Sequence, residues 1–497
     1  MMKKEKIDWF VKALLLTIAL IFVFLMVYSP HFDYKFPFHI DEWHHLTMAK
    51  DMKQKGIGFF TSYFNPVESG FQLILAFIDM FLPLVLVYRF LPAINAVVIS
   101  IVLFYFLNKK YNFWAGLISV IFLASLRSHT NIVGLWFYTP VIGAIVFSYL
   151  TLFTLEEAVC KNNPKKFYLA ALFLFILAFI HQSSFLVIFL TVLIYLAFNY
   201  KFVKENYKYF SPFLILLIPA FIVIKRIPSL GAFVWGRGDI TTDYNILIIY
   251  GILLTVLALL GYYSSYKDKK LLPFRIYILI PVLNLILFNF TEFTIFSAYY
   301  RYIYHFMIAA VPLSTVGFFK LLMIFNARLK KLKKALKLNI AAVYILKYLV
   351  IGIICIVCFI IIFQGYSDLS FKTKLTKYID DHDYEAMIFL KDYGEPSKAI
   401  RLHPTQAEVI SEKNVSIFMP AISEKASIFT DPLAASTKEK EAVAKFFNGD
   451  CSDKREIAYS SYYGNLKYAY SYEELGCDFL EAIYNKEGVY IYKIIKN

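Results

Sequence analysis

Charge is scarce in this chain. Of its 497 residues only 18% are Asp, Glu, Lys or Arg, while 59% are hydrophobic and 19% aromatic, and the mean hydropathy is +0.59. That composition excludes a soluble enzyme of this length and implies repeated crossing of a membrane. Cysteine is sparse as well: Cys160 stands alone, Cys355 and Cys358 lie one turn apart inside an apolar run, and Cys451 and Cys477 fall near the C-terminus. No zinc spacing can be built from these. A nucleophile elbow, a phosphate loop and a Ser/His/Asp or Cys/His arrangement are also missing, so nothing points to chemistry through a covalent intermediate. The net charge of +15 does not indicate nucleic acid, because from Gln364 onward 17 Lys/Arg face 21 Asp/Glu, a net of −4. The basic excess therefore belongs to the apolar part, where short cytoplasmic loops collect Lys and Arg.

What the chain has instead is long apolar runs. A crossing takes about 20 residues, and Trp9 to Tyr28, behind Lys3, Lys4 and Lys6, supplies the first. No small-residue cleavage site follows it, so it reads as a retained signal anchor with a cytoplasmic N-terminus. Further runs are Leu84 to Leu107, Phe113 to Leu126, Phe137 to Leu155, Phe167 to Ile180, Phe185 to Phe198, Phe210 to Ile224, Ile246 to Tyr263, Phe274 to Phe290, Tyr304 to Phe325 and Ile340 to Phe363. Together they predict an α-helical polytopic membrane protein of about eleven crossings. Alternating sides then puts Lys109/Lys110, Lys161/Lys165/Lys166, Lys201/Lys204/Lys208, Lys267/Lys269/Lys270 and the Arg328 to Lys337 cluster in the cytoplasm. The expected division is a transmembrane domain over 1–363, with a first outer loop at 29–70, and an extracytoplasmic soluble domain over 364–497. Phe71 to Phe81 reads as a half-buried interfacial segment.

The first outer loop carries the densest chemistry. His39-Ile40-Asp41-Glu42-Trp43-His44-His45 places two acids and three imidazoles in seven residues beside a span, where unsolvated charge is costly. The stretch from Glu42 to Lys55, with Leu46, Ala49 and Met52 on one face, predicts an amphipathic helix on the membrane surface. Its acids would sit at the N-terminal end, where free amides favour them. On the same predicted side lie Arg127 and His129 in the next outer loop, His181 at a span end, Arg237 in a Gly-rich loop, and Arg301 followed by His305. Arg301 stands among Tyr299, Tyr300, Tyr302 and Tyr304, which suits either a guanidinium fork on a lipid phosphate or an aromatic belt with a snorkelling arginine. In the tail, helices at Asp383 to Tyr393 and Lys438 to Phe447 alternate with strands at Ala399 to Leu402, Leu466 to Tyr472 and Gly488 to Ile495, a small α/β unit. Cys451 and Cys477 are expected to pair there, in an oxidising compartment.

An acidic motif just after span one, many spans, an arginine before a late span and an α/β tail resemble the glycosyltransferase C superfamily. The match is to the lineage of protein O-mannosyltransferases, lipid A aminoarabinose transferases and oligosaccharyltransferase catalytic subunits, through Ile40-Asp41-Glu42-Trp43-His44-His45-Leu46. The resemblance implies inverting transfer of a sugar from a polyprenyl-phosphate carrier to a hydroxyl on a glycan, lipid or protein. It gives Asp41 and Glu42 catalytic places, Asp41 as general base, with Arg301 as phosphate clamp. His44, His45, Arg127, His129, His181, Arg237 and His305 are candidate substrate-binding residues. The absence of acids in the second outer loop favours metal-independent chemistry, with a divalent ion held by Glu42, His44 or His45 left open. A flippase, transporter or non-catalytic binder of lipid-linked sugars is the other class, although no internal repeat or charged mid-helix position supports it.

Overall fold

The computed structural model describes residues 2–56, 68–126, 134–218, 233–235, 251–291, 293–295, 299–336, 377–394, 407–412, 415–428 and 436–496, with Tyr348, Gly352 and Ile356. Packing divides the chain into two compact units, Met1–Pro30 with Phe90–Lys374, and His31–Arg89 with Leu375–Asn497. The acid-bearing loop thus packs with the C-terminal segment, although hydropathy assigns it to the apolar part.

The first unit is helical. Among the described residues five helical stretches are long and apolar enough to cross a membrane: Asp8–His31, Leu84–Lys110, Pro140–Cys160, Lys269–Thr291 and Arg301–Arg328. Eleven crossings are therefore not what the described helices supply. Phe113–Ala124, Lys166–Ile180, Gln182–Phe198 and Ile252–Ser264 are apolar but shorter. Local polar groups close some of them. Asn112 accepts the Ala115 N–H at 3.0 Å to start Phe113–Ala124, and the Ser125 hydroxyl donates to the Phe122 carbonyl at 2.6 Å where it stops. Of the run Phe210 to Ile224, Ser211–Ile215 forms a short α-helix and Leu217 and Ile218 are helical, while the rest of it past Ile218 and most of Ile340 to Phe363 lie outside the described residues.

Two features bind this unit together. Gly261 of Ile252–Ser264 and Gly317 of Tyr299–Leu336 bring their helix backbones into contact: a Cβ at Gly261 would lie 1.9 Å from the Leu313 carbonyl oxygen, and one at Gly317 would lie 1.9 Å from that of Leu257. Small residues allow such an approach, and close backbones are how apolar helices associate where water supplies no drive. Beside it the Ser314 hydroxyl donates to the Leu254 carbonyl at 3.0 Å. Pro312, inside the same long helix, has no N–H for the carbonyl of Ile308 four residues back. The Tyr149 hydroxyl, from Pro140–Cys160, donates to that carbonyl at 2.7 Å. A neighbouring helix thus satisfies the group that proline leaves open.

In the second unit the helix Ile40–Lys55 packs against Ser69–Asp79 and Met419–Ser423. It does not take the surface position its sequence suggests. Trp43, His45, Leu46, Met48, Ala49, Asp51 and Met52 are all buried, because partners lie on more than one side. Its buried charge is matched: Asp51 accepts from Lys55 at 2.8 Å, and Lys50 and Lys53 reach Asp79 at 2.6 and 2.9 Å. Ser69–Asp79 is two-faced, burying Phe71, Leu75 and Ala76 while Leu73, Phe77 and the following Phe81 are exposed.

A four-stranded sheet completes this unit in the order Val409–Ser411, Tyr468–Ser471, Val489–Ile494, Leu480–Lys486; the first pair is parallel and the others antiparallel. The last two strands are joined at Glu487 and Gly488, whose φ of 51° and 79° is the doubly left-handed turn that two-residue hairpins favour. Helices Asp381–Asp392, Thr437–Asn448 and Cys451–Tyr459 flank the sheet in sequence. The helix and strand expectations at Asp383, Lys438, Leu466 and Gly488 are met within a few residues, while Ala399 to Leu402 lies outside the described residues. Cys451 and Cys477 form a disulfide.

Candidate functional site

The acid-bearing helix starts where it does because of a reciprocal cap. His39 holds extended backbone and its Nδ1 accepts the Asp41 N–H at 3.1 Å, while Glu42 Oε2 accepts the N–H groups of His39 at 3.0 Å and Phe38 at 3.1 Å. The amides of Phe38, His39 and Asp41 at the start of the helix are thereby satisfied. The same arrangement separates the two acids. Glu42 is 1% exposed and its carboxylate is committed to the cap; the Asp41 side chain is 50% exposed. Its Oδ2 lies 3.6 Å from His39 Nδ1, a nitrogen that the Asp41 amide makes an acceptor, so this is not an ion pair. Asp41 is the acid of the motif whose carboxylate reaches solvent.

The neighbouring imidazoles divide in the same way. His45 is 5% exposed, with its ring edge-on to Phe71 at 5.2 Å and its Nε2 3.7 Å from a Glu68 oxygen. His44 is half-buried beside it, the two rings 5.5 Å apart. Glu42, His44 and His45, the donors left open for a divalent ion, are turned to other partners: Glu42 Oε2 accepts two amides and His45 Nε2 faces Glu68. Among the described residues no three His, Cys, Asp or Glu side chains gather in a way that would hold a metal.

In the helical unit three predicted residues come together. His181, which ends Lys166–Ile180 and caps Gln182–Phe198, accepts the Ser184 N–H through Nδ1 at 3.2 Å. The same Nδ1 lies 2.8 Å from the Ser184 hydroxyl. Arg301 Nη1 lies 3.3 Å from the His181 Nε2, a hydrogen bond that sets the guanidinium against the imidazole. One turn along the arginine helix, His305 is 1% exposed, its Nδ1 2.8 Å from the Tyr277 hydroxyl and its Nε2 without a hydrogen-bond partner among the described residues. Tyr277 and Ser184 belong to this cluster and were not singled out in the sequence; a tyrosine or serine in an apolar run carries no signal of its own. Arg127, His129 and Arg237 lie outside the described residues.

A helical unit with membrane-crossing stretches, interrupted in sequence by an acid-bearing loop that packs with a C-terminal α/β segment, defines a polytopic membrane protein with a substantial non-membrane part. The fold is similar to that of an oligosaccharyltransferase from Archaeoglobus fulgidus in its apo form, with a TM-score of 0.54 at 13% identity over 93% of this chain and 69% of that one. It is also similar to the archaeal oligosaccharyltransferase AglB from Archaeoglobus fulgidus in complex with an inhibitory peptide and a dolichol-phosphate, with a TM-score of 0.56 at 12% identity and the same coverage. At these identities the likeness is one of fold. No protein-family model and no curated protein sequence matches the chain.

Proposed function

We propose that this protein is a membrane glycosyltransferase that moves a sugar from a polyprenyl-phosphate carrier to an acceptor on the extracytoplasmic side. The N-terminus is then cytoplasmic and the tail outside; the four shorter apolar helices bring the crossings to nine, and the runs Phe210 to Ile224 and Ile340 to Phe363 would make eleven. The observation that carries the reading is the division of labour in the acidic motif: Glu42 caps the helix and Asp41 keeps a solvent-accessible carboxylate. A fold shared with an oligosaccharyltransferase solved with a peptide and a dolichol-phosphate supports it.

In this mechanism Asp41 takes the proton from the acceptor as the anomeric bond breaks, in a single inverting displacement that requires no nucleophilic side chain. Arg301, held beside His181, receives the phosphate oxygen that gains charge as the sugar leaves. His305, held by Tyr277, lines the same part of the helical unit. Glu42 acts through the position it gives Asp41. Lipid-linked donor, acceptor and bilayer lipids are the partners.

The test is Asp41→Asn in protein reconstituted with a lipid-linked sugar and acceptor. The amide is nearly isosteric and leaves the cap intact, so expression and thermal stability should hold while transfer falls roughly 100- to 10,000-fold. Transfer at the wild-type rate would remove Asp41 from the mechanism. Arg301→Ala and His181→Ala should each weaken donor use, while binding of a lipid-linked sugar undiminished by Asp41→Asn and without any turnover in the wild type would favour a carrier.

A further inference from the structure

The second unit contains a cavity of about 650 Å³ that the mechanism does not use. Its walls are the segment from His31 to Phe36, Arg89, and the approach to helix Asp381–Asp392 from Lys377 to Asp383. The volume falls within the roughly 300–1,000 Å³ usual for small-molecule sites.

Its chemistry is of mixed sign. Four lining residues are acids, Asp33, Asp380, Asp381 and Asp383, and three are basic, Lys35, Arg89 and Lys377. The lysines are already matched across the opening, Lys35 to Asp381 at 2.5 Å and Lys377 to Asp33 at 2.9 Å. An anion seated on either lysine would have to displace its carboxylate, and a cation would meet both lysines. The deepest acid is immobilised: Asp383 is 4% exposed and accepts the hydroxyls of Tyr470 and Tyr472 at 2.7 and 2.8 Å and the Asp380 N–H at 3.0 Å. The Tyr34 hydroxyl is likewise fixed, accepting from the Ile379 N–H at 3.4 Å. Against this rigid polar wall stands one apolar element at the opening, the Phe32 ring, which is 66% exposed.

We propose that this cavity is a binding site for a neutral saccharide. Hydroxyl groups both donate and accept, so they satisfy carboxylates and ammonium groups together, and the C–H face of a sugar ring covers an aromatic side chain that water solvates poorly. The proposal extends the reading of the protein as a glycan-handling enzyme, by giving it a saccharide subsite built wholly from the second unit.

Full-length protein in lipid nanodiscs, free of sugar-headed detergent, would be mixed with neutral disaccharides of mannose, glucose and N-acetylglucosamine, and saturation transfer from protein to sugar measured by NMR. Transfer to at least one of them is expected, with binding weakened about tenfold by Phe32→Ala and also reduced by the double change Asp33→Asn with Lys377→Gln. Inorganic phosphate should not displace the sugar. Circular dichroism checks that both variants fold. Phe32-dependent binding in a protein that shows no transfer activity would uphold the cavity and count only against the catalytic reading. No transfer to any of the sugars, signals indifferent to both variants, or displacement by phosphate would overturn it.

Discussion

Replacing Gly261 by alanine should part Ile252–Ser264 from Tyr299–Leu336, the helix that carries Arg301 and His305. The nearest atoms to the new Cβ are backbone: the Leu313 oxygen at 1.9 Å, the Leu313 carbonyl carbon at 2.7 Å and the Gly317 nitrogen at 3.0 Å. No side-chain rotation relieves them. A carbon and a carbonyl oxygen rest at about 3.3 Å, so the helices must part by roughly 1.4 Å at this point. Gaps of that size forfeit a large share of the dispersion energy along the contact, and overpacking of this kind costs about 1–3 kcal/mol. At about 2–4 °C per kcal/mol, thermal unfolding in detergent should move down by roughly 5 °C. Gly317→Ala should do the same, since its Cβ would meet the Leu257 oxygen at 1.9 Å. The double variant should lose clearly less than the sum, because helices already parted for one methyl accommodate the other. Val256→Ala on the exposed side of the same helix is the control. Unchanged unfolding in either glycine variant, or losses that simply add, would show that the backbones are not in contact.

Three further outcomes follow from particular contacts. Tyr149→Phe strands the Ile308 carbonyl that Pro312 cannot serve, and should lower stability by about 0.6–1.7 kcal/mol, read in the same melt; no change would mean another donor serves that carbonyl. Reducing Cys451–Cys477, 26 residues apart, should destabilise the second unit by about 3 kcal/mol, and two free thiols in unreduced protein would refute the pairing. Glu424 is partly buried, which opposes its charge, but Lys391 at 2.9 Å and Lys50 at 3.3 Å outweigh this and hold its pKa below the ordinary carboxylate value. Because the folded pKa is depressed, its stabilisation is present above the unfolded value and is lost as pH falls through the folded one. Glu424→Gln should therefore flatten the acid limb of stability against pH below about pH 4, and an unaltered limb would contradict the assignment.

The sequence by itself determined the membrane character, because hydropathy is additive along a helix that must satisfy its own backbone. It also determined the acidic motif, the arginine among tyrosines and most of the tail's helices and strands, since caps, periodicity and charge bias are local signals. It did not separate long helices from short ones, because apolar composition says nothing of where Asn112 starts a helix or Ser125 stops it. Which of two adjacent acids is free was beyond it. The answer depends on Glu42 folding back onto His39; the residue pattern reads Asp41 and Glu42 alike, and only the resemblance singles out Asp41 as base. It placed the Ile40–Lys55 helix on a surface because its apolar stripe is visible and its partners are not: Ser69–Asp79 follows closely, but Met419–Ser423 comes from more than 350 residues away. His181 and Arg301, 120 residues apart, meet for the same reason. Pairings of that separation are fixed by how helices pack, and only the tertiary structure decides them.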